Sequence, residues 1–292
     1  MKKRSRFRHS IEYAGLYLVY LAVNLLPYRA THPPARFIAW LGFAVFRMRR
    51  RETVVRIMTA MGVDRPAAVR IAWRAYFNIA AAGLEFLRFR RLRPVFDAGY
   101  IRVEGLEPIR RLAAEGRGAV LAAMHSGSWE ICGAALAYSG IPLFYVTGVQ
   151  HNPRVDALIN AMRRSVGIEL IPRDGALKQV FRRLGRGEFL GIVADQHIAG
   201  ESVTVDFFGK SCTAPKGPAA FAWKTGVPVI PLMTVREGTA RHRLLIMDPI
   251  LPDQGRDRDG EIARITQAYT AVFEKVIREH PGDWFWLHRR WR

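Results

Sequence analysis

The segment 124–130 (Met-His-Ser-Gly-Ser-Trp-Glu) holds the residues best suited to chemistry. His125 follows an apolar run, and Glu130 lies five positions further on. A carboxylate beside a histidine fixes the imidazole tautomer and stabilises the imidazolium that forms when the ring takes up a proton. Ser128 can cap the helix that follows, and Gly127 permits a tight turn before it. The segment predicts His125 as a general base with Glu130 as its partner. A capped helix start beside an incidental histidine is the alternative.

Other catalytic motifs are incomplete in this sequence. Gly209-Lys210-Ser211 has the tail of a phosphate-binding loop, but position 204 is Thr where that loop needs Gly. Ser126 and Ser128 do not lie in a Gly-x-Ser-x-Gly motif, which weakens a serine-hydrolase interpretation. The eight histidines show no metal-binding spacing, and no Rossmann glycine pattern occurs. We therefore expect no nucleotide cofactor and no catalytic metal.

The elements that must position His125 alternate between strands and helices beyond residue 100. Short apolar runs predict strands at 118–124, 143–149, 169–172, 189–194 and 227–233, with 244–247 as an edge strand. Helical spacing predicts helices at 130–138, 153–166, 176–186, 218–225 and 261–280. This pattern predicts an α/β fold whose central, largely parallel sheet is flanked by helices. His125 then lies at the carboxyl end of a strand, where such sheets bind ligands.

The first 50 residues predict a membrane anchor. A basic segment at 2–8 precedes an uncharged, mostly apolar run of 15 residues at 13–27, and a second apolar run at 37–46 is followed by four arginines. A bilayer span needs roughly 20 apolar residues, and basic flanks on both sides favour keeping both ends on the cytoplasmic face. We predict a monotopic or re-entrant anchor at 1–50 and a catalytic domain at 51–292. One alternative is a signal peptide, although no small-x-small cleavage site follows Leu26, and the other is burial of the same helices in a soluble core.

The chain of 292 residues is strongly basic, with 45 Lys plus Arg against 25 Asp plus Glu and a formal charge of +20. Such a charge indicates an anionic partner, which can be a membrane surface, an acidic protein or substrate, or nucleic acid. No aromatic and basic platform favours nucleic acid, although a non-catalytic basic binding protein is left open. Arginines at 88–93 predict either a solvated helix end or a patch for lipid phosphates. Two cysteines without a disulfide pattern indicate a reducing, cytoplasm-facing environment.

The spacing from His125 to Glu130 resembles the His-x4-Asp/Glu motif of the glycerolipid acyltransferase superfamily. The form His-Ser-Gly-Ser-Trp-Glu is most similar to that of the bacterial late acyltransferases of lipid A biosynthesis. The resemblance covers residues 118–292 and extends to the N-terminal anchor with its basic edge. Its further segments are Asn152-Pro153, Arg163-Arg164 with Gly167, Asp195-Gln196, Phe207-Phe208-Gly209, Thr213 to Ala219, Gly226 to Pro231 and Trp286 to Trp291.

This resemblance implies that His125 and Glu130 form a dyad that deprotonates an acceptor hydroxyl. The hydroxyl then attacks an acyl thioester directly, without an acyl-enzyme. A donor must stabilise the oxyanion, and the likeness points to Arg163, with Arg164 second. It also implies substrate contacts by Asp195, Gln196, Thr213 and Gly217. His197 departs from the pattern, because many members have a second acidic residue there.

The resemblance also implies the substrates and the location. The acyl donor is acyl carrier protein or a coenzyme A thioester, with no further cofactor. The acceptor is a phosphorylated glycolipid such as a lipid A precursor, at the cytoplasmic face of the bacterial inner membrane. Another bacterial lipid, mannosylated or with an amino-acid headgroup, is the alternative acceptor, and nothing in the sequence separates the two.

Overall fold

The computed structural model describes residues 2–197 and 200–291, with side chains from residue 7 onward. The helices among these residues are α1 (Lys2–Leu25), α2 (His32–Trp40), α3 (Arg50–Met61), α4 (Arg65–Phe86), α5 (Arg93–Asp97), α6 (Glu107–Ala114), α7 (Trp129–Tyr138), α8 (Pro153–Ser165), α9 (Ala176–Leu184), α10 (Gly217–Thr225) and α11 (Arg258–Glu279). The strands are β1 (Ile101–Glu104), β2 (Ala119–Ala123), β3 (Leu143–Thr147), β4 (Glu169–Pro172), β5 (Phe189–Val193), β6 (Ser202–Phe207), β7 (Lys210–Pro215), β8 (Val229–Glu237) and β9 (Arg241–Ile246).

Seven strands form one central sheet in the order β1-β9-β8-β2-β5-β3-β4. Every neighbouring pair is parallel except β8 and β9, which are antiparallel. The prediction of a largely parallel α/β sheet is confirmed. The prediction that 244–247 forms an edge strand is wrong, because β1 pairs along the outer side of β9. The spacing gave no sign of β1, since only one of its four residues is fully buried.

Helices cover both faces of the sheet. All five residues of β2 are buried, as expected of a central parallel strand that is covered on both sides. One core joins the strands to α4, α10 and α11, and it contains Val120, Tyr269 and Phe273. The other core joins them to α6 and α7, and it contains Leu121 and Ile131. Both faces of the central strands are therefore covered.

The N-terminal helices pack on the rest of the chain and also expose apolar side chains. Arg88 is 5% exposed, and its guanidinium donates to the carbonyl oxygens of Val23 and Leu26 at the end of α1. Neither of the two interpretations of the 88–93 segment, the solvated helix end or the patch for lipid phosphates, therefore holds for Arg88. Of the nineteen large apolar side chains that are exposed among the described residues, fourteen lie between residues 7 and 55, and we call these fourteen the N-terminal apolar surface. Among the described residues, no helix combines the length and the apolar character that crossing a bilayer requires.

A buried charge cluster connects α4 to the sheet. Glu85 accepts two hydrogen bonds from the Arg236 guanidinium, at 2.6 and 2.8 Å, and both side chains are 1% exposed. His242 Nε2 lies 3.3 Å from Glu85 Oε1 and 3.1 Å from the Tyr28 hydroxyl. The backbone N–H of Arg236 donates to Asp283 Oδ2 at 3.0 Å. The cluster therefore connects the N-terminal region to the segment that follows α11.

Candidate active site

The ends of two neighbouring parallel strands bring His125 and Asp195 together. In the register of β2 and β5, Ala123 lies opposite Val193. His125 lies two positions after Ala123, and Asp195 lies two positions after Val193. The two residues therefore lie side by side just beyond the ends of the strands. His125 Nδ1 lies 2.7 Å from Asp195 Oδ1, and the His125 backbone N–H donates to Asp195 Oδ2 at 3.0 Å.

Asp195 is a buried carboxylate with three donors. Besides the two groups of His125, the Trp284 indole N–H donates to Oδ2 at 2.8 Å. Burial alone raises the pKa of Asp195, but the nearby imidazole and these hydrogen bonds outweigh burial and bring the pKa below its ordinary value. An ionised carboxylate only accepts hydrogen bonds, so Nδ1 of His125 carries the proton. Nε2 is then the basic nitrogen, and it has no hydrogen-bond partner among the described residues.

The backbone around His125 is held from two sides. Ser126 Oγ donates to the Thr234 carbonyl oxygen at 2.8 Å, and Thr234 Oγ1 donates to the Ser126 carbonyl oxygen at 2.7 Å. Gly127 has a φ of +53°, and a Cβ there would lie 2.7 Å from the Thr234 oxygen, so only glycine fits. Ser128 precedes α7 as predicted, but its hydroxyl makes no capping hydrogen bond. A fixed backbone holds the imidazole in one place.

Glu130 pairs with Arg163 and not with His125. Arg163 Nη2 and Nε donate to the two carboxylate oxygens of Glu130, at 2.6 and 3.2 Å. The hypothesis that Glu130 orients the imidazole is corrected by this geometry, because Asp195 occupies that place. Burial lowers the pKa of the Arg163 guanidinium, but the hydrogen bonds and charge of Glu130 outweigh burial and raise it. The pair is a fixed part of the wall of the neighbouring cavity.

A cavity of about 1250 Å³ opens beside the His-Asp pair. The ring of Trp129 packs against the His125 ring, with 5.2 Å between centroids, and also lines this cavity. The pairing of β3 with β5 ends at Tyr145 and Gly191, although each strand continues for two more residues. The cavity lies where these strands separate. Its walls are mostly apolar and include Leu121, Leu136, Leu143, Leu190, Ile192 and Phe221.

Two glycines make room for the Tyr145 ring inside this cavity. A Cβ at Gly133 would lie 1.9 Å from the Tyr145 hydroxyl oxygen, and a Cβ at Gly191 would lie 2.2 Å from the ring carbon Cε1. Burial is the main reason that the pKa of Tyr145 lies well above its ordinary value, so the phenol stays neutral. The position of this ring sets the free space between α7 and β5.

Replacing Gly133 with alanine is expected to displace the Tyr145 ring into the cavity. Overpacking of this kind typically costs about 1–3 kcal/mol of unfolding free energy, and the smaller cavity should favour shorter apolar ligands. Unfolding in urea and the binding of fatty acids of increasing chain length measure the two effects. Adding Tyr145→Phe should restore part of the unfolding free energy and part of the cavity space, because the closest contact of the new Cβ is to the Tyr145 hydroxyl oxygen.

Gly83→Ala is the matched control for this prediction. Gly83 lies in α4, and a Cβ at this position would have no neighbour within 4 Å, so alanine should stabilise the helix by roughly 0.5–1 kcal/mol. An unchanged chain-length profile in Gly133→Ala would show that Tyr145 does not limit the occupant of the cavity.

Besides Arg163, four basic side chains line the cavity: Arg173, Lys216, Lys224 and Arg258. Lys216 forms an ion pair with Glu201, whereas no ion pair of Lys224 is found in the described part of the chain. A mostly apolar cavity with several cations in its wall fits a molecule with an apolar chain and an anionic group.

Of the remaining predicted site residues, one lines the cavity and three do not. Gly217 begins α10 and lines the cavity, but a Cβ there would meet its nearest neighbours only at 3.9 Å, so packing does not demand glycine. Arg164 is exposed on the last turn of α8 and is not part of the cavity wall. Gln196 is half-buried next to Asp195. Thr213 Oγ1 lies 2.6 Å from His197 Nδ1.

Residues after α11 complete the site, and the sequence reasoning assigned them no role. Trp284 donates to Asp195, and the backbone N–H of Phe285 donates to the His125 carbonyl oxygen at 3.0 Å. Burial is the main reason that the pKa of His288 is lowered to about 4. The tryptophan-rich segment at 284–291 is the sequence feature that could have indicated that these residues lie at the site. Among the described residues, no group of three or more His, Cys, Asp or Glu side chains is placed to hold a metal ion.

The fold and site define an α/β protein with a His-Asp pair at the carboxyl edge of its sheet, beside a long apolar cavity. Residues 1–292 match the family model described as bacterial lipid A biosynthesis acyltransferase, and the chain belongs to this family.

Named relatives fall into two groups. The chain is 31% identical over 226 residues to a phosphatidylinositol mannoside acyltransferase of Mycobacterium tuberculosis (strain ATCC 25618 / H37Rv), covering 75% of this chain but only 66% of that relative. It is 22% identical over 300 residues to the lipid A biosynthesis palmitoleoyltransferase of Escherichia coli (strain K12), covering 98% and 92% of the two chains. The E. coli lipid A biosynthesis lauroyltransferase is 28% identical over 198 residues, 67% and 63% of the two chains.

Proposed function

We propose that this protein transfers a fatty acyl chain from a thioester donor to a hydroxyl group of a glycolipid. The observation that carries this proposal is the position of the His125–Asp195 pair beside the apolar cavity, with the Trp129 ring shared between them. The pair supplies a base of fixed tautomer, and the cavity supplies space for an acyl chain. The family and its named relatives are acyltransferases.

The geometry supports a direct transfer. Nε2 of His125 takes the proton of the acceptor hydroxyl while its oxygen forms a bond to the thioester carbonyl carbon. The tetrahedral adduct then collapses, the C–S bond breaks, and the imidazolium returns its proton to the leaving thiolate. Asp195 stabilises the imidazolium between these two steps.

Two groups beside the cavity can stabilise the oxyanion. The first-turn amides of Trp129 and Glu130 lack partners within α7 and point toward its N-terminal end, where a negative charge is favoured, whereas the Ile131 N–H donates to the Ser128 carbonyl oxygen at 2.9 Å. Arg163 lines the cavity with Glu130 holding two of its nitrogen atoms. We assign these groups to the developing charge on the thioester oxygen, with Glu130 as the residue that positions Arg163.

The charge of the protein supports anionic substrates at a membrane. The basic side chains in the cavity wall suit an acyl carrier protein or a coenzyme A thioester. The N-terminal apolar surface, which has Arg47, Arg49 and Arg50 within the same part of the chain, suits interfacial binding to an anionic leaflet. We therefore infer a monotopic enzyme on the cytoplasmic face of the inner membrane. A lipid A precursor is one acceptor class, and the mycobacterial relatives favour a phosphatidylinositol mannoside as the second.

A transfer assay tests this function. The detergent-solubilised protein and its His125→Ala variant are incubated with lauroyl acyl carrier protein or lauroyl coenzyme A. Anionic vesicles supply either a lipid A precursor or a phosphatidylinositol mannoside. Lipid mass spectrometry should detect an added acyl chain with the wild type only, and sedimentation should recover the protein with the vesicles. Failure of a folded wild type to transfer or hydrolyse either thioester would contradict an acyltransferase.

A further inference from the structure

A group of basic side chains lies beside the His-Asp pair and is not used by the proposed transfer. His197 Nδ1 lies 2.6 Å from Thr213 Oγ1, and the Arg290 guanidinium donates to the Thr213 carbonyl oxygen. His288 lies two positions before Arg290. We call His197, His288 and Arg290 the C-terminal basic cluster.

Arg290 is a buried cation without an anion. It is 2% exposed, and its Nε atom has no hydrogen-bond partner. It forms no ion pair with any carboxylate of the described residues, and its nearest aromatic neighbour is Phe207, with 5.3 Å between the guanidinium carbon and the ring centroid. Burying a guanidinium without a counter-charge is unfavourable. Within the described part of the chain, the guanidinium therefore has no carboxylate at ion-pair distance.

His288 adds a second unsatisfied donor or acceptor to the cluster. Its Nδ1 atom is buried and has no hydrogen-bond partner. Burial lowers its pKa most, and the charges of His125, Arg290 and His197 lower it further, against the opposing effect of Asp195. At neutral pH the ring is uncharged and keeps one N–H for donation. The Asp195 oxygens are occupied by the His125 and Trp284 donors, and no ion pair joins Asp195 to Arg290 among the described residues.

Contacts between aromatic rings place the cluster next to the reaction centre. Trp284 donates to Asp195, and its ring packs on Phe207 with 5.5 Å between centroids. Phe207 is the ring beneath the Arg290 guanidinium. His197 follows Asp195 by two positions in the chain. An anion in the cluster would therefore be bound by the same small unit that holds the base.

We propose that the C-terminal basic cluster binds a phosphate ester of one of the two substrates. A guanidinium presents a fork that matches phosphate oxygens, and two imidazoles add single donors from other directions. Either the headgroup of the acceptor or the phosphopantetheine arm of the donor can bring this group. The source of the phosphate rests on the proposed function, whereas the existence of the anion site does not.

Binding of inorganic phosphate tests the site without turnover. The thermal midpoint of the full chain is measured in phosphate and in chloride of equal ionic strength. Phosphate should raise the midpoint of the wild type by mass action, and it should not raise that of Arg290→Gln or His288→Gln. Arg289→Gln is the matched control, because Arg289 is an exposed neighbour whose nearest carboxylate is Glu52 at 3.6 Å. Equal stabilisation of all four proteins, or of none, would overturn the proposal.

Substrate pairs with and without a phosphate identify its source. The donor pair is lauroyl phosphopantetheine and lauroyl pantetheine, which differ by one phosphate. The acceptor pair is a phosphatidylinositol mannoside and a mannosyl diacylglycerol, which differ by the phosphoinositol unit. Loss of a charge-assisted hydrogen bond should raise KM about tenfold for the phosphate-bearing member of one pair only. Arg290→Gln and His288→Gln should show this change, and Arg289→Gln should not. In both pairs, the ratio of KM for the phosphate-bearing member to KM for the phosphate-free member could be the same in the variants and the wild type. Acyl transfer with such unchanged ratios would contradict the anion site but keep the proposed function. If phosphate raises the thermal midpoint but the protein transfers no acyl chain, the anion site is kept and the proposed function is contradicted.

Discussion

Asp195→Asn is expected to reduce acyl transfer as severely as removal of His125, by roughly 10²- to 10⁴-fold. The reason lies in the three donors around this side chain. Oδ2 accepts from the His125 backbone N–H and from the Trp284 indole, and both donors are fixed. An asparagine must therefore direct its oxygen to that side and its NH₂ group toward Nδ1. The imidazole then carries its proton on Nε2, which leaves it unable to act as a base.

Glu130→Gln is the comparison that makes this prediction specific. It replaces a carboxylate by an amide in the same way, but it weakens the pair with Arg163 and leaves the imidazole tautomer unchanged. Turnover at saturating donor and the ¹⁵N chemical shifts of the imidazole measure both properties. Only Asp195→Asn should move the proton from Nδ1 to Nε2. An Asp195→Asn protein within tenfold of wild type, beside a Glu130→Gln protein with an altered tautomer, would restore Glu130 as the partner of the base.

The predicted strands held information about the His125–Asp195 pair that the motif at 125–130 did not. The strands at 118–124 and 189–194 were predicted, and His125 and Asp195 are the residues that directly follow them. Once the sheet order makes these strands parallel neighbours, the pairing of the two side chains follows from register. Spacing within one motif favoured Glu130 because that residue is close in sequence. Neighbours across a sheet depend on strand order, which apolar runs alone do not determine.

β1 and the hairpin of β6 and β7 are among the elements that the sequence did not predict. β1 has one fully buried residue in four, and the hairpin of β6 and β7 stands outside the central sheet. The buried acid of α4 offered a signal that could have been used. Glu85 lies in a helix whose neighbours Ala82 and Leu84 are buried, and a charge on such a face needs a partner. That partner, Arg236, is 151 residues away, so no local pattern could name it.

Glu85→Gln is expected to cause the largest loss of stability of any single substitution considered for this chain. It leaves Arg236 buried without its counter-charge, and breaking a buried pair in this way typically costs about 3–5 kcal/mol of unfolding free energy. Urea unfolding at pH 7 followed by tryptophan fluorescence measures it. Glu52→Gln is the control, because Glu52 pairs with Arg56 at 3.0 Å on the surface, where such pairs contribute about 0–1 kcal/mol.

The pH dependence of the same measurement separates charge from packing. Burial raises the pKa of Glu85, but Arg236 and His242 outweigh burial and hold it well below its ordinary value. A carboxyl group whose pKa is lowered by folding stabilises the fold fully at pH values above its unfolded pKa. This stabilisation is lost as the pH falls from the unfolded pKa through the folded pKa. The difference between wild type and Glu85→Gln should therefore be constant near pH 7 and shrink below about pH 4.3, the ordinary pKa of a glutamate. A difference that persists unchanged in acid would assign the loss to packing. Because Asp283 accepts from Arg236 and its carbonyl accepts from Gly127, the destabilised variant should also lose order around His125.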